Sequence, residues 1–438
     1  MIKLLAILLL IITGILLSSL PWLSAISYMT VSVLQPQYVW FWSFENFPIF
    51  KITAILSILA LLLMLAKGEV DKSIYRYKQH LAMLFLGVMV NVSDFLSPFQ
   101  DYYAGVSSNI VIDTFNTILI MYFVLLGILQ NTQALKYAAI AIIIITGYYI
   151  YWSNSAYLSQ DWGKFFNGRL NGPPQSPYAD GNSLAILFVC GMPFILFGIF
   201  YFKQIYLKVI LAMLLPLLWH SLLLTSSRGA FLSAGISTLF CAFLLKSKKL
   251  NVALVSAFLI VVLTQGQAVI NRSFDTFDKV EQAKTEDIVV NPRLVSWGIG
   301  LQLMSKYPLI GVGPQRFQQA SLVHFPGESL HVAHNLLIAV AVDFGIPAGL
   351  CMISLFWAVR QRFKAMTFSE SDEDNEDLML IKFLRNSTAA GILGFFVGAI
   401  FLNLFIFEFF YFLIILNLST YHLYQTYQNE QTPSASTT

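Results

Sequence analysis

The chain has 438 residues, of which 57% are hydrophobic, 15% aromatic and 11% charged, with a formal net charge of +3 and a mean hydropathy of +0.70. Soluble domains carry about 25% charged residues, so this composition excludes a soluble globular protein and predicts an all-α integral membrane protein. The small net charge, with Lys and Arg scattered along the chain, excludes nucleic acid as a partner.

Apolar runs of about 17–25 residues recur, each long enough as a helix to cross a hydrocarbon core of about 30 Å. About twelve are expected, at approximately 4–26, 51–66, 81–97, 110–130, 136–152, 183–202, 208–226, 229–245, 250–264, 334–358, 386–404 and 407–426. The first follows Lys3 like a signal peptide. Its apolar run exceeds an h-region and no A-x-A-like cleavage site follows, so it reads as a membrane helix.

Residues 27–50, with Pro36 and the aromatics Tyr38, Trp40, Phe41, Trp42, Phe44 and Phe47, read as an interfacial or re-entrant element at headgroup depth. The basic segments 67–78, 203–208, 246–249 and 360–385 lie an even number of crossings apart, which makes them cytoplasmic, and both termini with them. The outside connections are then 27–50, 98–109, 153–182, tight turns at 226–229 and 403–408, and the long segment 265–333.

The chain therefore divides into spans 1 to 9 over residues 1–264, an outer segment over 265–333 carrying short helices, spans 10 to 12 over 334–428, and a polar, disordered cytoplasmic tail at 429–438. The acidic run 369–377 is a solvated cytoplasmic connection. The three cysteines, Cys190, Cys241 and Cys351, lie inside spans at unrelated spacings. They read as small core residues, with neither a disulfide framework nor a zinc site indicated.

Polar groups at membrane depth are costly and tend to face cavities. Four constellations fit that description, all at the outer end of the predicted bundle. Arg169-Leu170-Asn171-Gly172 with Asp180-Gly181-Asn182-Ser183 opens the sixth span, where substrate contact and plain turn-and-cap roles are both open. Ser226-Ser227-Arg228-Gly229 joins two apolar helices almost without a loop, so Arg228 either points into a shared aqueous pocket, where a guanidinium suits phosphate, or anchors to headgroups.

Pro292-Arg293 starts a helix-like stretch with Leu294, Trp297, Leu301 and Met304 at helical spacing, and Arg293 beside the helix N-terminus makes an anion site or a solvated loop residue. His334-Asn335, nine residues before Gly345, offers an imidazole suited to general-base work, with an interfacial polar role as the alternative. His331 sits three residues earlier and competes for that role. Asp343 is too far along a helix to serve His334, since nine residues rise about 13 Å.

In this order the motifs resemble the bacterial O-antigen ligase and O-antigen polymerase superfamily: Arg-Leu-x-Gly with a following Asn-x-Leu-Ala, Ser-Ser-Arg-Gly-Ala, Pro-Arg, Tyr307-Pro308-Leu309-Ile310-Gly311-Val312-Gly313, and His-Asn-x9-Gly. The resemblance covers roughly residues 165–350. Residues 35–48 are similar to the exosortase-associated subset of O-glycosylation ligases. One departure stands after Gly345, where Ala348 occupies the position of a customary small residue, often Gly, and the glycine falls at Gly349.

The resemblance implies a multi-pass inner-membrane glycosyltransferase that moves a glycan from undecaprenyl diphosphate to an acceptor hydroxyl at the periplasmic face, without cofactor, nucleotide sugar or metal. No Asp-x-Asp motif stands in an outside loop. Arg228 and Arg293 would bind the diphosphate and His334 would activate the acceptor, with Arg169, Asn182, His331 and Asn335 as further site candidates. The acceptor would be lipid A-core, a protein or a growing glycan, the last making the enzyme a polymerase. A transporter of the same lipid is the reading from another class. It would call for related halves and mid-membrane polar groups, whereas the polar groups here cluster at one end.

Overall fold

A computed structural model describes residues 1–102, 106–245, 292–327, 332–369, 372 and 374–431. The expected span at 250–264, the cytoplasmic run 246–249, His331 and the last seven residues of the tail lie outside the described residues. The architecture is all-α. The helices in chain order are α1 (Ile2–Ile15), α2 (Trp22–Leu34), α3 (Pro36–Val39), α4 (Phe41–Phe44), α5 (Ile49–Lys67), α6 (Gln79–Leu96), α7 (Ser108–Ile128), α8 (Thr132–Leu158), α9 (Gly181–Tyr201), α10 (Ile205–Thr225), α11 (Arg228–Leu245), α12 (Pro292–Lys306), α13 (Phe317–His324), α14 (Leu336–Phe344), α15 (Ile346–Ala365), α16 (Glu376–Ala399) and α17 (Glu408–Gln431). Among the described residues, eight are long and apolar enough to cross a membrane: α5 to α11 and α16.

The packing follows from small residues. Gly391, Gly394 and Gly398 lie on one face of α16, and a Cβ at each would come within 2.8 Å of Cys190 O, 2.5 Å of Val189 and 2.2 Å of Ile186 on α9. Backbones approach closely there, which is how membrane helices associate without a hydrophobic drive between them. Helix α9 is consequently the bundle's central element, buried almost throughout between α8, α10, α11 and α16. Cys190, Cys241 and Cys351 are free thiols, the first two buried.

The segments expected to share one side meet at one end of the bundle. Lys203 Nζ pairs with Glu376 Oε1 at 2.6 Å. His422 on α17 lies 2.9 Å from Asp71 and 3.3 Å from the Tyr77 hydroxyl. Arg385 and Tyr424 donate to the carbonyls of Met366 and Thr367.

Two expected spans are interrupted. Residues 4–26 form α1 and the start of α2, separated at Pro21, which stands at the N-cap of α2. Residues 334–358 are likewise two helices, because Gly345 takes φ 91° between α14 and α15. The nine-residue α14 is far too short to cross. It packs against α12 and α6, leaving the 20-residue α15 to run alongside α6, α16 and α17. The expected aromatic element at 27–50 is the end of α2 and the short helices α3 and α4, after a left-handed bend at Gln35.

The break at Gly345 is where two sequence motifs interlock. The amides of Val312 and Gly313 donate to the carbonyls of Val342 and Asp343 at 2.8 and 2.9 Å, and the Ile346 amide donates to Pro308 O at 2.8 Å. Carbonyls that α14 leaves unpaired at its C-terminal end are thereby satisfied by the 307–313 turn. A Cβ at Gly345 would sit 2.2 Å from Leu309 O, and one at Gly311 would sit 2.5 Å from the Asp343 backbone. Gly345→Ala is therefore expected to destabilise the protein by on the order of 3 kcal/mol. Thermal unfolding in detergent measures it against Gly298→Ala, where nothing lies within 4 Å of the new methyl; equal melting temperatures would refute the interlock.

Candidate functional site

At the end of the bundle opposite the Lys203–Glu376 pair, α10 and α11 meet with only Ser226 and Ser227 between them. Ser226 adopts φ 50° and caps α10 in the left-handed conformation. The Ser227 hydroxyl receives the Ala230 amide at 3.4 Å, supplying the N-cap of α11. Arg228 is thus the first residue of α11, and it is exposed. A Cβ at Gly229 would sit 3.3 Å from Phe401, so α11 starts in close contact with the segment following α16.

Arg169 stands on a two-stranded hairpin, Phe165–Phe166 paired with Arg169–Leu170. Its turn is Asn167-Gly168, both residues left-handed, as a two-residue hairpin loop requires. From there Arg169 Nε donates to Thr225 O at 3.0 Å and Nη2 donates to Asn182 Oδ1 at 2.8 Å. Asn182 is held in turn by Asp180, the N-cap of α9. Arg169 and Asn182 thereby tie the hairpin, the start of α9 and the end of α10 together, three residues before Arg228. Of the two roles left open by the sequence, these contacts are those of turn and cap.

Arg293 lies in the first turn of α12, exposed. Loss of solvent around it, and next the positive charge of Arg228, push its guanidinium below the ordinary arginine value. One helical turn along the same face of α12, Trp297 Nε1 donates to Ala333 O at 2.8 Å, directly before His334. A Cβ at Gly300 would come within 2.7 Å of Ile338. Helix α12, which carries Arg293 in its first turn, is thus tied through Trp297 to the residue before His334.

His334 is half-buried and takes φ 46°, a left-handed conformation that costs a non-glycine residue roughly 1 kcal/mol or more. Asn335 is the N-cap of α14, its Oδ1 receiving the amides of Leu337 and Ile338 at 3.0 and 3.1 Å. The His-Asn pair thus splits its work: the asparagine starts the helix, and the histidine sits on the bend outside it. His334 does not open a continuous spanning helix, since Gly345 ends α14 nine residues later. The glycine displaced to 349 has a packing use, as its Cβ would lie 3.0 Å from Ala341 where α15 folds back on α14.

The sequence reading missed Arg316. Its side chain is 12% exposed and pairs with Asp94 at 2.7 Å and Asp101 at 3.2 Å. It also donates to Asp94 O and the Ser108 hydroxyl. Burial pushes the Asp101 carboxyl up, but hydrogen bonds from Ser108 and then the Arg316 charge outweigh it, leaving Asp101 below its ordinary value. This cluster fastens the 312–317 turn to the end of α6 and the start of α7. The available signal was an arginine two residues after Gly313-Pro314 with two aspartates at 94 and 101. His324, at the end of α13, is held between Lys306 Nζ and the Tyr307 hydroxyl, each at 3.0 Å.

A family model described as O-Antigen ligase matches residues 212–353. That interval holds Arg228, Arg293, His334, the 307–313 turn and Gly345. No curated protein matches the chain.

Proposed function

We propose that this multi-pass membrane protein, which carries an O-antigen ligase domain over residues 212–353, transfers a glycan from undecaprenyl diphosphate to an acceptor hydroxyl at the periplasmic face of the bacterial inner membrane. In this topology both termini are cytoplasmic, the candidate site faces the periplasm, and the spans form the bundle that holds the polyprenyl tail. The observation that carries the reading is the family match over residues 212–353, an interval that holds Arg228, Arg293 and His334.

The oxygens of a diphosphate accept paired guanidinium hydrogen bonds, the recognition for which Arg228 and Arg293 are suited. In the reaction the acceptor oxygen attacks the anomeric carbon of the first sugar, and the bond from that carbon to the diphosphate oxygen breaks. The electron pair leaves with undecaprenyl diphosphate, whose developing charge Arg228 and Arg293 neutralise, and the acceptor proton passes to the imidazole of His334. The arginines supply the positive charge that a metal ion supplies elsewhere. Asn335, Arg169 and Asn182 act by position, through the α14 cap and the hairpin clamp.

A growing glycan as acceptor makes the same chemistry a polymerisation, and the site geometry is common to both. The transporter reading is weaker because the candidate groups gather at one end of the bundle rather than at its middle. The deciding experiment reconstitutes the purified chain in liposomes with an undecaprenyl-diphosphate-linked oligosaccharide, without nucleotide or metal, offering lipid A-core, a candidate glycoprotein or no acceptor. A new covalent product is expected, and the acceptor that forms it chooses among ligase, protein glycosylation and polymerase. Lipid moved across the bilayer with no product would instead establish the transporter.

A further inference from the structure

A cavity of about 200 Å³ lies beside the interlock, where the end of α14, the start of α9, the turn before α13 and the connection between α16 and α17 come together. Its polar lining is Asp343, Gln315, Ser183 and Asn403, and the rings of Phe344 and Phe405, 4.9 Å apart, wall its apolar side. Asp343 is only 6% exposed. Its main-chain carbonyl receives Gly313 N at 2.9 Å and the Ser93 hydroxyl at 2.5 Å, and its Oδ2 receives Gln315 N at 3.4 Å. Its Oδ1 has no hydrogen-bond partner among the described residues. A buried acceptor left in that state costs about 1–3 kcal/mol, so the position calls for a donor brought by something that enters the cavity.

The lining sorts the candidates. A bound cation of the calcium or magnesium kind wants several oxygen ligands with more than one carboxylate, and Asp343 is the one carboxylate lining this cavity. A sugar ring needs what is present: the Asp343 carboxyl, its pKa pushed up to about 8 by burial, for one hydroxyl, amide and hydroxyl side chains that both give and accept for others, and an apolar wall for the ring's C–H face. Asn403 is exposed, which opens the cavity to solvent. Ser183 adjoins Asn182, which Arg169 clamps to the end of α10 just before Arg228.

We propose that this cavity is a subsite for a single pyranose ring of the donor or acceptor glycan, with Asp343 accepting a hydroxyl hydrogen bond as a specificity-determining residue. The inference rests on the glycan-transfer reading. Helix α14 separates Asp343 from His334 by nine residues, on the order of 13 Å at helical rise, so the ring held here is one remote from the reacting carbon.

Saturation-transfer NMR on the detergent-purified full chain, with the methyl glycosides of glucose, galactose and N-acetylglucosamine as probes, tests the subsite without needing turnover. At least one probe is expected to give a signal that Asp343→Asn and Asn403→Ala each abolish and His334→Ala preserves. Asparagine keeps the shape and an oxygen for the Gln315 amide, and residue 403 is exposed, so both variants are expected to fold. If no probe gives a signal dependent on Asp343, the subsite is overturned.

In the transfer assay, Asp343→Asn should raise KM about tenfold while kcat changes little, the loss of one hydrogen bond. The rise falls on the donor when acceptor is saturating, or on the acceptor when donor is saturating, according to which glycan owns the ring. An unchanged KM for both overturns the proposal. Sugar binding lost in Asp343→Asn, in a wild-type protein that transfers nothing, would leave the subsite standing and remove the transferase reading.

Discussion

His334→Ala is expected to lower glycan transfer by about 10²- to 10⁴-fold, the range supplied by a positioned general base, with membrane insertion and melting temperature little changed. The stability side of that expectation comes from where the residue sits. His334 lies on a left-handed bend outside α14, and Asn335, not His334, caps the helix. His334→Gly sharpens the test, because glycine adopts φ 46° without steric cost. That variant should be at least as stable as the wild type and as inactive as the alanine variant. A glycine variant that transfers glycan normally would remove the base assignment, and one that fails to fold would mean the imidazole is there for structure.

The second large effect concerns the arginine pair. Arg228→Lys and Arg293→Lys should each lower kcat/KM by about 10²-fold, comparable with losing one donor to a developing oxyanion, since lysine keeps the charge and loses the planar fork. Combined, they should lower it by less than the product of the single effects, because both side chains act on one diphosphate. Arg293→Gln separates binding from folding. Its transfer should fall, and its melting temperature shows whether the fold is kept. Strictly multiplicative effects in the double variant would mean that the two arginines serve different groups, contrary to the proposed chemistry.

Much of this protein was legible before any coordinates. Apolar runs at membrane length located most of the crossings, because a backbone in lipid satisfies its hydrogen bonds within each helix and so reports itself locally. The junction at 226–229 was legible for the same reason: two apolar runs with no room for a loop leave a tight turn and put Arg228 at a helix start. Arg293 was marked by the proline before it. His334-Asn335 was marked as a unit, though the sequence did not distinguish the cap from the exposed bend.

What composition and order determined by themselves was a membrane-embedded all-α chain, together with a family resemblance over its middle. The tertiary structure alone decided three further things. It broke the run at 334–358, because Gly345 relieves a clash with Leu309 that lies far away in sequence and is invisible to any hydropathy window. It also made Arg169 and Asn182 into a clamp and bound Arg316 to Asp94 and Asp101, pairings set by which helix ends meet in space. Finally, it enclosed Asp343 with one carboxyl oxygen unpaired among the described residues, a property that belongs to the closing of several elements around a space and to no stretch of sequence.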